Sequence, residues 1–224
     1  MNLPELHSDE ALRQREFPVC AGKVYLAHAG VSPVPACVTR AVQETAVAAA
    51  LDDQEEGLGD LLRSTRARAA EILGADIGEV ALIGPTTAGL SAVAAGLDWQ
   101  AGDEVLIYQD DFPVNVYPWL ALEARGVTVR RLQTPALGHI TPELVLEQLT
   151  DKTRLVALAS CHFVSGWRID HDAIGRELRA RDVLFCLDAI QTLGAFPTTV
   201  EHVDFLAADA HKWLLGPCAA GVFY

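Results

Sequence analysis

No G-x-G-x-x-G follows any strand-like run in these 224 residues, so the turn that cradles a dinucleotide pyrophosphate is missing. No G-x-S-x-G occurs either, which removes the nucleophile elbow of the serine hydrolases. Seven His and five Cys show no C-x-x-C pair and no zinc-ligand spacing, so no metal is expected. An odd cysteine count without ladder spacing fits reduced thiols. No apolar stretch approaches the length of a membrane span. The opening Met1-Asn2-Leu3-Pro4-Glu5 has neither a basic nor an apolar targeting region, and a cytoplasmic location is expected. Cations are scarce: 17 Lys and Arg face 30 Asp and Glu, a net charge of −13. That balance repels nucleic acid and anionic membrane surfaces alike, so neither is expected as a partner.

Half of the residues are hydrophobic, enough for a sizeable core. From Val80 onward, short apolar runs alternate with helix-like segments, the pattern of an α/β sheet with crossover helices. The runs are Val80–Ile83, Glu104–Tyr108, Val127–Leu132, Leu155–Ala159, Val183–Leu187, Phe205–Ala208 and Ala220–Tyr224. Parallel strands buried on both faces read this way. Helices are expected from Pro35 to about Asp53, Asp60–Leu73, Thr87–Leu97, about Val114–Arg125, after Thr141-Pro142, and Asp170–Arg181. Residues 1–34 read as irregular, with one strand-like patch at Lys23–Leu26. The fold class is therefore α/β: a three-layer α/β/α sandwich around a mostly parallel sheet.

Asp188 and Lys212 stand 24 residues apart. Asp188 ends an apolar strand, where ligands of open α/β sheets bind, and would pair with a pyridinium N–H; the bland alternative is a helix cap or a surface acid. Lys212, flanked by Ala210 and Trp213-Leu214-Leu215, is set to lose hydration, which favours the neutral amine an imine needs. A lysine snorkelling over an apolar patch is its alternative. Gly84-Pro85-Thr86-Thr87-Ala88-Gly89 joins a strand to a helix, and its free N–H groups with the Thr86 and Thr87 hydroxyls form an anion site. A capped βα turn is the plainer reading. His211 would donate to a phosphate, and Gln191 to a phenolic oxygen. Phe112 lies over a planar ring or simply in the core. Arg168 is an anion contact or a surface arginine.

Taken in chain order, these segments resemble the class V aminotransferase superfamily of fold-type I pyridoxal-phosphate enzymes, closest to its isopenicillin-N epimerase-like branch. Tyr25–Pro33 looks like the N-terminal substrate-side segment, Thr86-Thr87 the phosphate turn and Phe112–Trp119 the ring-stacking segment. Ser160–Arg168 resembles the family's S-x-x-x-F-x-S-G-x-R stretch. Asp188-Ala189-Ile190-Gln191 and His211-Lys212-Trp213-Leu214-Leu215-Gly216-Pro217 are the strongest matches. The resemblance implies pyridoxal 5'-phosphate as cofactor and a Lys212 Schiff base. It further implies a small amino-group substrate near His28 and Arg168, and a homodimer. Residues 1–34 would form the substrate-side segment and residues 35–224 the cofactor-binding large domain, with the last strand antiparallel.

There are departures. His28 stands where relatives have Asn, and Phe112 where desulfurases stack a His, which weakens a desulfurase reading. Cys218-Ala219-Ala220-Gly221 replaces the usual E-G-x-G. By resemblance, the family's C-terminal small domain carries a substrate-binding arginine and the desulfurase cysteine; it is expected to be missing here, and none of the five cysteines is placed to substitute. The alternative reading is a truncated, catalytically incompetent remnant, serving at most as a binding or dimerisation scaffold.

Overall fold

A computed structural model describes residues 3–224. Seven strands form one sheet: β1 (Ala81–Ile83), β2 (Glu104–Ile107), β3 (Thr128–Arg131), β4 (Thr153–Ala159), β5 (Leu184–Asp188), β6 (Phe205–Asp209) and β7 (Gly221–Phe223). Their order is β1-β7-β6-β5-β4-β2-β3. β7 is antiparallel to both neighbours, and the pairs from β6 across to β3 are parallel. The mostly parallel sheet and its antiparallel last strand agree with the sequence reading.

Strand side chains alternate between two cores because successive residues point to opposite faces. Val156 and Leu158 of β4, Phe185 and Leu187 of β5 and Leu206 and Ala208 of β6 share one apolar cluster. They pack with Ala69, Ala70 and Leu73 of α4 (Leu58–Leu73), Val145 of α7 (Pro142–Glu147) and Ile174 and Leu178 of α8 (His171–Arg179). Leu155, Ala157, Cys186 and Ala207 face the other way, onto Leu90, Val93 and Ala94 of α5 (Thr86–Gly96) and onto Trp119 and Leu122. Two helical layers on one sheet make the three-layer sandwich.

The approach of α5 to the sheet depends on Gly89. A Cβ there would lie 2.8 Å from Ala207 Cβ and 3.0 Å from the Phe223 ring. Glycine lets the helix sit against β6 and β7, which sets the height of its first turn.

Three expectations need correction. The N-terminal stretch contains two short helices, α1 (Leu3–Ser8) and α2 (Glu10–Glu16). The Asp9 side chain caps α2 by accepting from the Leu12 N–H. The strand-like patch at Lys23–Leu26 pairs with no strand; Val24 and Leu26 are exposed. The helix expected over 114–125 is broken into a 3-10 turn (Pro113–Asn115), α6 (Tyr117–Leu120) and a second 3-10 stretch (Ala121–Arg125). Pro118 removes an N–H donor that a continuous helix over these residues needs. The remaining helix, α3 (Ala36–Leu51), has no buried residue. Among the described residues, no helix is long and apolar enough to cross a membrane.

Candidate active site

β5 and β6 run parallel, and their carboxyl ends deliver two aspartates, Asp188 and Asp209. Lys212 follows three residues after Asp209. A cleft of about 320 Å³ opens here, lined among others by Gly30, Val31, Thr86, Thr87, Phe112, Asp209, His211 and Lys212. The sheet edge that binds ligands in open α/β folds is therefore the one that holds the predicted residues.

Thr86 and Thr87 open α5. Pro85 occupies the cap position and offers no side-chain bond to the helix start, so neither threonine acts as the cap that the plainer reading required. The Thr86 hydroxyl is instead turned to β6, where it accepts the main-chain N–H of Asp209 at 2.9 Å. The Ala88 N–H donates to the Pro85 carbonyl at 2.8 Å, and the N–H groups of Thr86 and Thr87 remain available to an anion.

Asp188 is 1% exposed. One carboxylate oxygen accepts the Ile190 N–H at 3.0 Å, and among the described residues the other has no protein donor. Burial, and then the negative charge of Asp111, push its carboxyl up to about 7. Lys212 is 7% exposed. Burial pulls its ammonium down from the usual lysine range, against the attraction of Asp188 and Asp209. Each charge offsets part of the desolvation of the other.

Phe112 is 44% exposed at the mouth, with the Lys212 Nζ 5.6 Å from its ring centre. Asp111 fixes it from below. The Asp111 carboxylate accepts the N–H groups of Phe112 at 2.7 Å and Ala159 at 3.0 Å, and the Asn115 amide at 3.0 Å. Asn115 in turn accepts the Trp119 indole N–H at 3.2 Å. Burial raises the Asp111 carboxyl above the usual range, against those three donors.

The N-terminal segment closes one side. Gln191 donates to the Ala29 carbonyl at 3.0 Å, and the Ser32 N–H donates to the His211 carbonyl at 2.8 Å. His28 stacks on Trp213 with ring centres 4.8 Å apart. Gln191 thus meets this strap with one amide hydrogen, leaving the second for a ligand.

Thr86, Thr87, Phe112, His211 and Lys212 line one cleft, with Asp188 coupled to Lys212 by charge. His28 and Gln191 border it through Trp213 and Ala29. Arg168 does not line this cleft: its backbone pairs with that of Cys161, and its guanidinium lies 4.6 Å over the Phe196 ring. Two residues went unnoticed in the sequence, Asp209 and Asp111. The strand-end argument used for Asp188 applies equally to Asp209, whereas nothing in the sequence marked Asp111 as buried. Asp172, Glu201 and His202 also gather within 4.8 Å, but the carboxylate of Asp172 is already held by Arg176 and His202.

The chain is similar in sequence and fold to known proteins. The probable cysteine desulfurase of Methanothermobacter thermautotrophicus is 29% identical over 219 residues, covering 94% of this chain and 55% of that protein. The chain thus spans about half the length of the curated relatives it matches. A C-DES variant solved with glycine covalently linked to the PLP cofactor superposes with a TM-score of 0.85 at 25% identity, covering 94% of this chain and 58% of that one. The apo cysteine desulfurase of Thermococcus onnurineus NA1 shares the fold, with a TM-score of 0.86 at 21% identity, covering 96% and 56% of the two chains. The family model described as aminotransferase class-V matches residues 24–224, which includes every residue of the cleft, and the chain belongs to that family.

Proposed function

We propose that this chain is the cofactor-binding part of a pyridoxal-phosphate enzyme that acts on an amino acid or related amine through Lys212. The observation that carries the reading is the buried, charge-coupled pair of Lys212 and Asp188 at the carboxyl ends of β5 and β6. Pyridoxal phosphate supplies an aldehyde that links to a primary amine and a ring that accepts electrons when its nitrogen is protonated. The residues fit such a group. Lys212 offers a desolvated amine, and the free oxygen of Asp188 would hold a proton at the ring nitrogen. Phe112 offers an aromatic face, and Gln191 a spare amide hydrogen for the phenolic oxygen. Thr86, Thr87 and His211 would hold the phosphate. Lys212 Nζ would also serve as the base for a substrate Cα proton.

His28 and Trp213 shape the substrate side. Arg168 does not line the cleft, and only His211 and Lys212 among the lining residues are basic. That same observation favours a second reading, a chain that binds cofactor and dimerises without turnover. A homodimer is supported by α3, which carries exposed Val42, Val47 and Leu51. Sedimentation of the purified chain tests it.

Titration with pyridoxal phosphate, followed by its visible absorption, tests the cofactor reading. A band that requires Lys212, and a covalent adduct mapped to Lys212 after borohydride reduction, are expected. Formation of the same adduct by Lys212→Ala would sink it. Elimination or transamination by the wild-type chain would dismiss the binding-only reading.

A further inference from the structure

We infer that Asp209 is the positioning residue of the anion end of the cleft: its carboxylate holds His211 by one edge and leaves Nε2 as the nitrogen that meets the phosphate. This rests on the pyridoxal-phosphate reading above. Asp209 ends β6 and is 3% exposed. Its Oδ2 lies 3.0 Å from His211 Nδ1. That nitrogen is buried and has no other partner, and the contact lies off the line a hydrogen bond prefers. Oδ1 accepts the Ala210 N–H at 2.7 Å, and Oδ2 accepts the Ala219 N–H at 3.2 Å. Its own N–H donates to Thr86 Oγ1 at 2.9 Å.

One aspartate therefore joins three pieces of the anion end: the first turn of α5, the imidazole, and the loop after Pro217. That loop needs an anchor, because Ala219 sits at φ +63°, in the left-handed region that disfavours a side chain. A carboxylate is a poor direct ligand for a phosphate, since like charges repel across a partly dry cleft. Its oxygens are instead occupied by donors of the protein. Its contribution is made through His211, in the way a carboxylate behind a histidine fixes which ring nitrogen carries the proton. With the proton on Nδ1 turned to Asp209, Nε2 is the ring nitrogen left for the cleft.

The cofactor-free chain gives the first test. Two-bond ¹H–¹⁵N spectra, in mildly alkaline buffer where a free imidazole is neutral, locate the His211 proton. It is expected on Nδ1 in the wild type, shifting toward the Nε2 form in Asp209→Ser. A wild-type ring protonated at Nε2 alone overturns the proposal. The second test compares affinity for pyridoxal phosphate with that for pyridoxal, which lacks the phosphate. Asp209→Asn and Asp209→Ser are expected to lower the ratio of the two about tenfold, the scale of one charge-assisted hydrogen bond. In a His211→Asn background the same changes should add almost nothing. Equal loss for both ligands, or an undiminished effect without His211, shows Asp209 to be a loop anchor only. A wild-type chain that binds neither ligand sinks the cofactor reading, while the spectra still judge the Asp209–His211 contact.

Discussion

The Nζ of Lys212 lies 5.6 Å from the centre of the Phe112 ring, so the most buried amine of the cleft faces its most exposed aromatic surface. The two have opposite effects on the amine. An aromatic face attracts a cation, whereas burial disfavours one. Burial prevails in Lys212, whose ammonium is pulled down. The ring is then more useful as a platform for a planar ligand than as a partner for the lysine.

Phe112→Ala should weaken pyridoxal-phosphate binding about three- to tenfold, the scale of one aromatic stacking contact, and leave the fold intact because the side chain is already half in solvent. Absorbance titration with a circular dichroism control checks this. Unchanged affinity would show that Phe112 is a rim residue rather than a platform.

The rate of covalent attachment to Lys212 should level off at a lower pH than for an ordinary lysine, because less of the amine is protonated. The Asp188 charge raises the lysine's proton affinity. Asp188→Asn should therefore move the profile lower still, while reducing any turnover that needs a protonated ring. Stopped-flow absorbance across pH in the two proteins gives the comparison. A profile displaced upward in the variant contradicts the charge coupling.

Asp188 also makes a prediction for stability. Its folded carboxyl is raised to about 7, above the ordinary range of about 4. Between those values the folded chain keeps a proton that the unfolded chain has lost, so stability falls as pH rises through this window. Above it the cost is constant, on the order of a few kcal/mol. Asp188→Asn should remove that slope and make the cofactor-free protein more stable at neutral and alkaline pH. Urea unfolding at several pH values measures it; a variant less stable at alkaline pH would refute the assignment.

Gly89→Ala should destabilise the chain by about 1–3 kcal/mol, since the added carbon would meet Ala207 Cβ at 2.8 Å and neither side has a rotamer with which to yield. It should also weaken cofactor binding, as the start of α5 would be lifted from β6. Unaltered unfolding midpoints would mean that the helix has room to move.

Much of this site was readable because the chemistry falls at strand ends. The runs before Asp188 and Thr86 are apolar and short, so their last residues could be placed at one sheet edge before any coordinates. Arg168 could not be placed in the same way. It sits in a hairpin closed by Cys161, and which face that hairpin turns outward is decided by its pairing, not by its residue types. Asp209 and Asp111 look like surface acids because the donors that satisfy them are mostly main-chain groups, which leave no mark in a sequence. The N-terminal helices were unreadable for a related reason: α2 buries nothing, so it has no apolar periodicity to follow. The break between Pro113 and Pro118 was legible, and reading a single helix across it gave composition too much weight.

β7 lies between β1 and β6, although it is the last strand to be made and β1 the first. During synthesis the sheet can grow outward from β6 through β5 and β4 to β2 and β3, all of which precede it. The first strand has no place to dock until Gly221–Phe223 leaves the ribosome, some 140 residues after its own emergence. The helix that follows β1 and carries Thr86 already has a seat, since Leu90, Val93 and Ala94 pack on Cys186 of β5 and Ala207 of β6. The phosphate turn between β1 and this helix is therefore tied at its helix end first and at its strand end last, and a cofactor that depends on a fixed turn has no complete seat before that moment.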